Sequence, residues 1–291
     1  MSGDTPAPVG FIGLGQIGKP MARRLTDWAG GLTVCDAVPA VTDSFASRGV
    51  SVATTPAELA ARSTVISIMV RDDAQVTEVL TGADGILTSA RPGTVVAIHS
   101  TVEADTPERL AALAAQRGVH LVDAPVSGGA MGAANGTLAL MVGGTDEAID
   151  LLREPFACFA SLIARCGPIG AGTRAKLARN LITFASFAAV GEAMRLAEAA
   201  GVDLTQLGEV VRHSDRVTGG PGSIMLRGDA RPLDPADGLH DVFVHTRGLG
   251  EKDLQLALAL GVDLDVDLPV ATLALERLAD ALGVPHQGPT P

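Results

Sequence analysis

The segment GTRAKLARNLITF, residues 172–184, contains a lysine and an amide that could act together. Lys176 and Asn180 are four residues apart, so a helix would place both side chains on one face. Apolar residues around them mark a side that should be packed: Leu177, Leu181, Phe184 and Ala188. Desolvation beside packed surface can lower the pKa of a lysine, which lets its amine donate or accept a proton. The alternative is a lysine whose amine reaches water, as we expect for Arg174 and Arg179.

A second segment, DAPVSGGAMGAANG at residues 123–136, follows an apolar run and is rich in small residues. Ser127, Gly128 and Gly129 could present backbone N–H groups, with a hydroxyl beside them, to a substrate carboxylate. The alternative is ordinary loop material after a strand, which has the same composition. These residue types do not by themselves decide between the two interpretations.

Three glycines stand at the joint between an apolar run and a helical pattern in VGFIGLGQIGKPMARRL, residues 9–25. Gly13 would permit a tight turn, Gly15 would let a pyrophosphate approach the backbone, and Gly18 would let helix and strand pack closely. The exposed amides at the helix start would attract the phosphates. The spacing in this context predicts a dinucleotide site.

Asp36 ends the next apolar run, LTVC, 18 residues after Gly18. This position suits the acid that accepts hydrogen bonds from an adenosine ribose. No arginine follows closely, and the carboxylate would repel a 2′-phosphate, so the sequence predicts NAD in preference to NADP. The alternative is that Asp36 faces solvent and that an arginine from elsewhere reaches the phosphate, with three candidates: Arg23, Arg24 and Arg48.

The elements that must position these residues divide the chain in two. Residues 9 to about 166 alternate helical patterns with seven strand-like runs: VGFIG, LTVCD, TVISIMV, TVVAIHS, VHLVDAP, LALMVG and SLIARC. Such alternation predicts βαβ units and a mostly parallel sheet. Only helical patterns follow, at 173–200 (ending at Gly201), 203–213, 247–260 and 268–283. We therefore predict an α/β domain over residues 1–166 and an all-α domain over 167–291.

Composition excludes several classes of function. A net charge of -11 argues against a nucleic-acid partner, and no apolar run approaches the roughly 20 residues that span a bilayer. The first ten residues, MSGDTPAPVG, lack the features of a secretory signal, so we expect a cytoplasmic protein. Cys35, Cys158 and Cys166 form no CxxC pair, and no metal site is predicted.

Four motifs in this order resemble the β-hydroxyacid dehydrogenase family, most closely its 3-hydroxyisobutyrate dehydrogenase type. They are GFIGLGQIGKPMARRL, DAPVSGG, the GxxxKxxxN of residues 172–180, and the KDL of residues 252–254. Together they span residues 9 to about 260. The resemblance implies a Rossmann-type N-terminal domain, a long interdomain helix, an all-helical C-terminal domain, and a homodimer or homotetramer built from those helices.

The same resemblance implies roles for individual residues. Lys176 would be the catalytic acid/base and Asn180 would orient the substrate, while Ser127, Gly128 and Gly129 would hold its carboxylate. The remaining positions would bind the cofactor: Gly13, Leu14, Gly15, Gln16, Ile17, Gly18, Asp36, Met69, Val70, Thr101 and Lys252. The predicted activity is hydride transfer between NAD and a small 3-hydroxy acid or its semialdehyde.

Two alternatives stay open, an imine reductase-like enzyme and a cofactor-binding protein without turnover. Two features also depart from the family pattern: His240 and His245 near the cleft-lining region, and the C-terminal GVPHQGPTP. The histidines are five residues apart with no third ligand in view, so they do not predict a metal site. The helix pattern of 173–200 is apolar around much of its circumference, which predicts burial against a partner subunit.

Overall fold

The computed structural model describes residues 6–227 and 229–286. The chain divides into two compact units, Met1–Arg179 and Asn180–Pro291. This division falls within a long helix, whereas the sequence placed a domain boundary at 166/167, ahead of that helix. The start of the N-terminal segment MSGDTPAPVG and the end of GVPHQGPTP lie outside the described residues.

The described part of the first unit forms one nine-stranded sheet. The strands are β1 (Val9–Ile12), β2 (Leu32–Cys35), β3 (Ser51–Val52), β4 (Val65–Ile68), β5 (Val95–Ile98), β6 (His120–Asp123), β7 (Val126–Ser127), β8 (Leu138–Gly143) and β9 (Ala160–Gly167). Their order is β3-β2-β1-β4-β5-β6-β8, and β7 and β9 both pair with β8. All pairs are parallel except those of β8 with β6 and β7. The prediction of a mostly parallel sheet is confirmed.

Helices connect these strands. They are α1 (Gly18–Arg24), α2 (Asp43–Ala46), α3 (Pro56–Arg62), α4 (Asp73–Thr81), α5 (Thr106–Ala115), α6 (Gly129–Asn135) and α7 (Asp146–Phe156). Side chains cap several of them: Thr55 accepts from the N–H of Glu58 at 3.1 Å, and Asp72 accepts from that of Gln75 at 3.0 Å. Such caps satisfy amide groups that a helix start leaves without partners.

The central strands are buried on both faces, which explains why each reads as an apolar run rather than an alternating one. Successive residues of a strand point to opposite faces. In β5, Val95 and Ala97 join the hydrophobic cluster that contains Phe11 and Phe156, on one side of the sheet. Val96 and Ile98 join a second cluster on the other side. Helix packing on both faces thus fixes the sheet that positions the loops at its carboxyl edge.

The regular elements of the second unit, over its described residues, are all helices. Its elements are the greater part of α8 (Ala171–Ala199), which begins in the first unit, then α9 (Leu204–Thr218), α10 (His240–Asp263) and α11 (Pro269–Leu282), with a short 3-10 turn at Gly220–Ile224. Gly201 has φ +74°, the left-handed conformation expected just past a helix. Helix α10 begins seven residues before the predicted 247. None of the described helices is long and apolar enough to span a membrane.

The apolar side of α8 is largely uncovered in the single chain, and its burial against a partner subunit stays a prediction. We expected the apolar side of α8 to be covered, but the side chains of Leu181 and Phe184 are 71% and 62% exposed. Phe187, one turn later, is 64% exposed. Helical periodicity identifies which face is apolar, but it does not say which surface covers that face.

Candidate active site

The glycine-rich loop between β1 and α1 has the geometry that the sequence predicted. Gly13 has φ +93°, and a Cβ there would overlap the carbonyl oxygen of Met69. A Cβ on Gly18 would overlap the carbonyl oxygen of Gly13. A Cβ on Gly15 would meet nothing within 4 Å, and this residue is exposed. Two glycines therefore allow tight packing of strand, loop and helix, while Gly15 leaves bare backbone facing open space.

Asp36, at the end of β2, is bonded to this loop. Its Oδ2 accepts from the N–H of Leu14 at 2.6 Å, and its Oδ1 accepts from the N–H of Val38 at 2.8 Å. The side chain is half-buried and directed at the loop, which disagrees with the alternative that it faces solvent. Arg24, one of the candidate phosphate ligands, instead donates from Nε to the carbonyl of Cys158 at 2.9 Å.

The loops after β4 and β5 lie beside the glycine loop. The N–H of Met69 donates to the Ile12 carbonyl at 2.9 Å. The hydroxyl of Ser100 accepts from the N–H of Val70 at 3.0 Å and donates to the carbonyl of the same residue at 2.8 Å. Thr101 follows and is exposed. Because β1 has β2 on one side and β4 on the other, these loops meet where the strand order reverses, the place where such sheets bind ligands.

The segment after β6 turns through two glycines. Gly128 has φ +130° and Gly129 has φ +61°, conformations that favour glycine over residues with side chains. Both are exposed, and Ser127 beside them is half-buried. Their backbone is therefore open to a ligand, as the proposed contact with a carboxylate requires.

Lys176 is buried, with 9% of its surface exposed, which disagrees with the alternative of a side chain extended into water. Its Nζ donates to the carbonyl of Val126 at 2.6 Å. Burial lowers the pKa of Lys176 below its ordinary value, and the positive charge of Arg179 lowers it further. Since Val126 directly precedes Ser127, the structure brings the lysine amine to the segment predicted to hold the carboxylate.

The remaining predicted residues belong to the second unit, and their roles stay predictions. Asn180 follows Lys176 by four residues in α8. Lys252 is exposed on α10, with its Nζ 2.9 Å from Asp253 Oδ1. His240 Nδ1 lies 3.2 Å from Asp241 Oδ1, and His245 is exposed. Among the described residues, no group of three His, Cys, Asp or Glu side chains could hold a metal ion.

Two residues of this region were not predicted from the sequence. Ser100 joins the loops after β4 and β5, and its only signal was its place beside Thr101 in HSTV. Asp123 is completely buried at the end of β6 and accepts from the backbone N–H groups of Gly170 and Thr173. Burial raises the pKa of Asp123, while these hydrogen bonds oppose the rise.

Comparison with family models matches both parts of the chain. Residues 8–168 match the NAD-binding domain of 6-phosphogluconate dehydrogenase. Residues 170–233 match the NAD-binding domain of NADP-dependent 3-hydroxyisobutyrate dehydrogenase. The first match alone covers more than half of the chain.

Individual proteins are also similar to this chain in sequence and in fold. An uncharacterized oxidoreductase of Mycobacterium tuberculosis is 55% identical over 99% of this chain and 97% of its own length. A protein of Mycobacterium avium 104 with a known crystal structure is 52% identical in sequence to this chain, with a TM-score of 0.91. The match covers 96% of this chain and 99% of the M. avium chain. The M. tuberculosis 3-hydroxyisobutyrate dehydrogenase with L-serine is 29% identical, with a TM-score of 0.66, over 94% of this chain and 92% of its own.

Proposed function

Because this chain belongs to the 3-hydroxyisobutyrate dehydrogenase family of oxidoreductases and carries its NAD(P)-binding domain, we propose that it transfers a hydride between NAD and a small 3-hydroxy acid or the corresponding semialdehyde. One observation supports this most directly. The buried amine of Lys176 lies against Val126, next to the exposed backbone of Gly128 and Gly129. An acid/base group and carboxylate-binding amides thus adjoin each other on a dinucleotide-binding domain.

Lys176 acts on the hydroxyl proton. In the oxidation its neutral amine takes this proton, and in the reduction the ammonium group returns it. The lowered pKa makes the neutral amine more accessible than in an exposed lysine. The Val126 carbonyl can accept a hydrogen bond from either form of the amine, because both forms carry N–H donors. The group therefore keeps its position while its charge changes.

The nicotinamide ring, when bound, supplies the hydride acceptor for oxidation and the hydride donor for reduction. The residues at its site fit a dinucleotide, since the loop backbone at Gly15 is unobstructed and lies beside the Asp36 carboxylate. We assign the cofactor contacts of the loop to Gly13, Leu14, Gly15, Gln16, Ile17 and Gly18. We assign those of the neighbouring segments to Met69, Val70, Thr101 and Lys252.

The cofactor we propose is NAD and not NADP. The Asp36 carboxylate accepts from the N–H of Leu14 in the glycine loop and from that of Val38 just after β2, so a ribose bound along the loop would adjoin it. A 2′-phosphate at that ribose would meet like charge. Arg24, committed to the Cys158 carbonyl, does not offset this repulsion.

The substrate is held by its carboxylate in this proposal. Hydrogen-bond donors to this carboxylate come from Ser127, Gly128 and Gly129. Asn180 orients the carbon of the substrate that bears the hydroxyl. Fixing both ends of a short substrate aligns the reacting carbon with the cofactor, which is a large part of what such an enzyme contributes.

A substrate panel tests the proposal. NAD reduction is followed by absorbance with 3-hydroxyisobutyrate and L-serine, and the reverse reaction is followed with tartronate semialdehyde. Succinic semialdehyde, whose alcohol is a 4-hydroxy acid, tests whether a carbon chain longer by one atom is also accepted. L-serine is included because it is itself a 3-hydroxy acid and accompanies the M. tuberculosis relative. Lactate, whose hydroxyl lies one carbon closer to the carboxylate, is the matched control.

The expected result is turnover of at least one of 3-hydroxyisobutyrate, L-serine and tartronate semialdehyde, with little turnover of lactate. Tight NAD binding without turnover of any compound would overturn the proposal in favour of a non-catalytic cofactor-binding protein. Faster reduction of a cyclic imine than of either semialdehyde would overturn it in favour of an imine reductase.

A further inference from the structure

Asp123 is a buried charged side chain that the proposed reaction does not use. It is 0% exposed at the end of β6. Its Oδ1 accepts from the N–H of Gly170 at 2.7 Å, and its Oδ2 accepts from the N–H of Thr173 at 2.6 Å. A buried carboxylate is costly unless it is hydrogen-bonded, and the start of a long helix favours negative charge. Asp123 therefore fastens the sheet to the first turn of α8.

The packing around this carboxylate leaves it little freedom. A Cβ on Gly143, in the neighbouring strand β8, would overlap Asp123 Oδ1. A Cβ on Gly172, in the first turn of α8, would overlap the carbonyl oxygen of Met141. The helix start thus packs directly on the strand backbones, and the Asp123 side chain fits a space that glycine leaves free.

A second connection, one helical turn later, joins α8 to β7, the short strand that follows β6. Three residues after Asp123, the Val126 carbonyl accepts from Nζ of Lys176, which is itself three residues after Thr173. Each residue of an α-helix is rotated by roughly 100° from the one before it, so a small rotation of α8 would carry the lysine away from Val126. The position of the amine therefore depends on how the first turn is fastened.

We propose that Asp123 is a positioning residue for Lys176. By fastening the first turn of α8 to β6, it sets the rotation of the helix and so holds the lysine amine against the Val126 carbonyl, beside Ser127. The inference rests on the proposed function, in which Lys176 is the acid/base. Asp123 itself touches neither substrate nor cofactor.

Asp123→Asn tests this role with almost no change of shape, because the amide nitrogen that replaces one oxygen cannot accept from a backbone N–H. We expect kcat for the best substrate of the panel to fall by about 10²-fold, the scale of a misplaced reacting group. The Kd for NAD should stay unchanged, since the cofactor loop lies on other strands. The same substitution in a Lys176→Ala background should cause no further loss of kcat.

Glu192 provides a matched control in the second unit. It is 4% exposed, and its carboxylate accepts from the N–H groups of Val270 at 2.7 Å and Ala271 at 3.0 Å at the start of α11. Glu192 also lies on α8, but 16 residues after Lys176. Glu192→Gln therefore breaks the same kind of contact at the start of α11 and leaves the contacts of Asp123 with the first turn of α8 intact. It should lower thermal stability as Asp123→Asn does, yet keep kcat.

A second readout needs no turnover. The chain has three lysines, Lys19, Lys176 and Lys252, so acetic anhydride labelling followed by peptide mass spectrometry resolves each amine. In the cofactor-free full chain, Asp123→Asn should speed the labelling of Lys176 by about tenfold, as expected when a fastened element opens more readily. Lys19 and Lys252 should label at unchanged rates, and Glu192→Gln should change none of the three.

The outcomes separate this inference from the proposed function. Unchanged kcat and unchanged Lys176 labelling in Asp123→Asn would overturn the positioning role, as would an equal loss of kcat in Glu192→Gln. Unchanged kcat in Lys176→Ala would instead overturn the proposed function, while the labelling still tests the position of the amine. If Asp123→Asn does not fold, Asp123→Ser, which is smaller and carries a single oxygen acceptor, also weakens the contacts with Gly170 and Thr173, and the same kcat and labelling results are expected.

Discussion

Lowering the pH from about 7.5 to about 5.5 should weaken the fold through one buried side chain, His99. This residue directly follows β5 and is 1% exposed. Its Nδ1 lies 2.8 Å from the Ala124 carbonyl, which can only accept, so Nδ1 carries the hydrogen. Its Nε2 then accepts from the Ser67 hydroxyl at 3.0 Å. The rings of Phe156 and Phe159 pack around the imidazole, and these apolar surroundings disfavour its protonated, charged form.

Burial lowers the pKa of His99 from 6.5 to about 4. Above both values the side chain is neutral in the folded and unfolded chains, and it does not make stability depend on pH. As the pH falls below 6.5, the unfolded chain takes up the proton first, so the free energy of unfolding decreases. At 1.36 kcal/mol per pH unit, this amounts to about 1.4 kcal/mol by pH 5.5 and roughly 3 kcal/mol by pH 4.

Urea unfolding of three proteins at the two pH values checks this expectation. His99→Gln should be less stable than the wild type at pH 7.5, but its loss of stability on going to pH 5.5 should be smaller by about 1.4 kcal/mol. His213→Gln, which removes an exposed histidine of α9, should respond to pH as the wild type does. An equal pH response in His99→Gln and the wild type would refute the reasoning.

Three further predictions concern the cofactor and assembly. Asp36→Asn should narrow the preference for NAD over NADP in kcat/KM by about tenfold, because it removes the charge that repels a 2′-phosphate; an unchanged ratio would contradict this. Gly15→Val should keep the melting temperature, since its side chain meets open space, yet weaken NAD binding in calorimetry by about 100-fold or more, and unaltered affinity would count against the assigned loop. Light scattering at micromolar concentration should show a dimer or larger, which Phe184→Glu dissociates because Phe184 is 62% exposed in the single chain; a wild-type monomer would exclude this.

The sequence predicted the strands that are long and apolar, and missed those that are not. All seven predicted runs contain strands of the sheet. The additional strands, Ser51–Val52 and Val126–Ser127, are too short to show any periodicity and are defined only by their pairing with β2 and β8. The prediction placed the start of α10 too late, because residues 240–246, HDVFVHT, are weak helix formers. Their helical state depends on tertiary packing, which the local sequence does not show.

In the candidate site, the sequence predicted the residues that local geometry determines and missed the contacts that depend on distant parts of the chain. Gly13 and Gly18 were identified because a turn between strand and helix constrains nearby residue types. The burial of Lys176 depends on Val126, 50 residues earlier, so spacing within the helix could not reveal it. Asp123 was missed because its partners are backbone amides, 47 and 50 residues away, that any residue type except proline would supply.

The most direct measurement of the central claim compares kcat for the wild type, Lys176→Ala and Arg174→Ala with NAD and the best substrate of the panel. Arg174 is the matched control, because it is an exposed cation of the same helix, paired with Glu108 at 2.6 Å. Lys176→Ala should lower kcat by roughly 10²- to 10⁴-fold with the Kd for NAD unchanged, and Arg174→Ala should keep the wild-type kcat. A wild-type kcat in a folded Lys176→Ala protein would contradict the account.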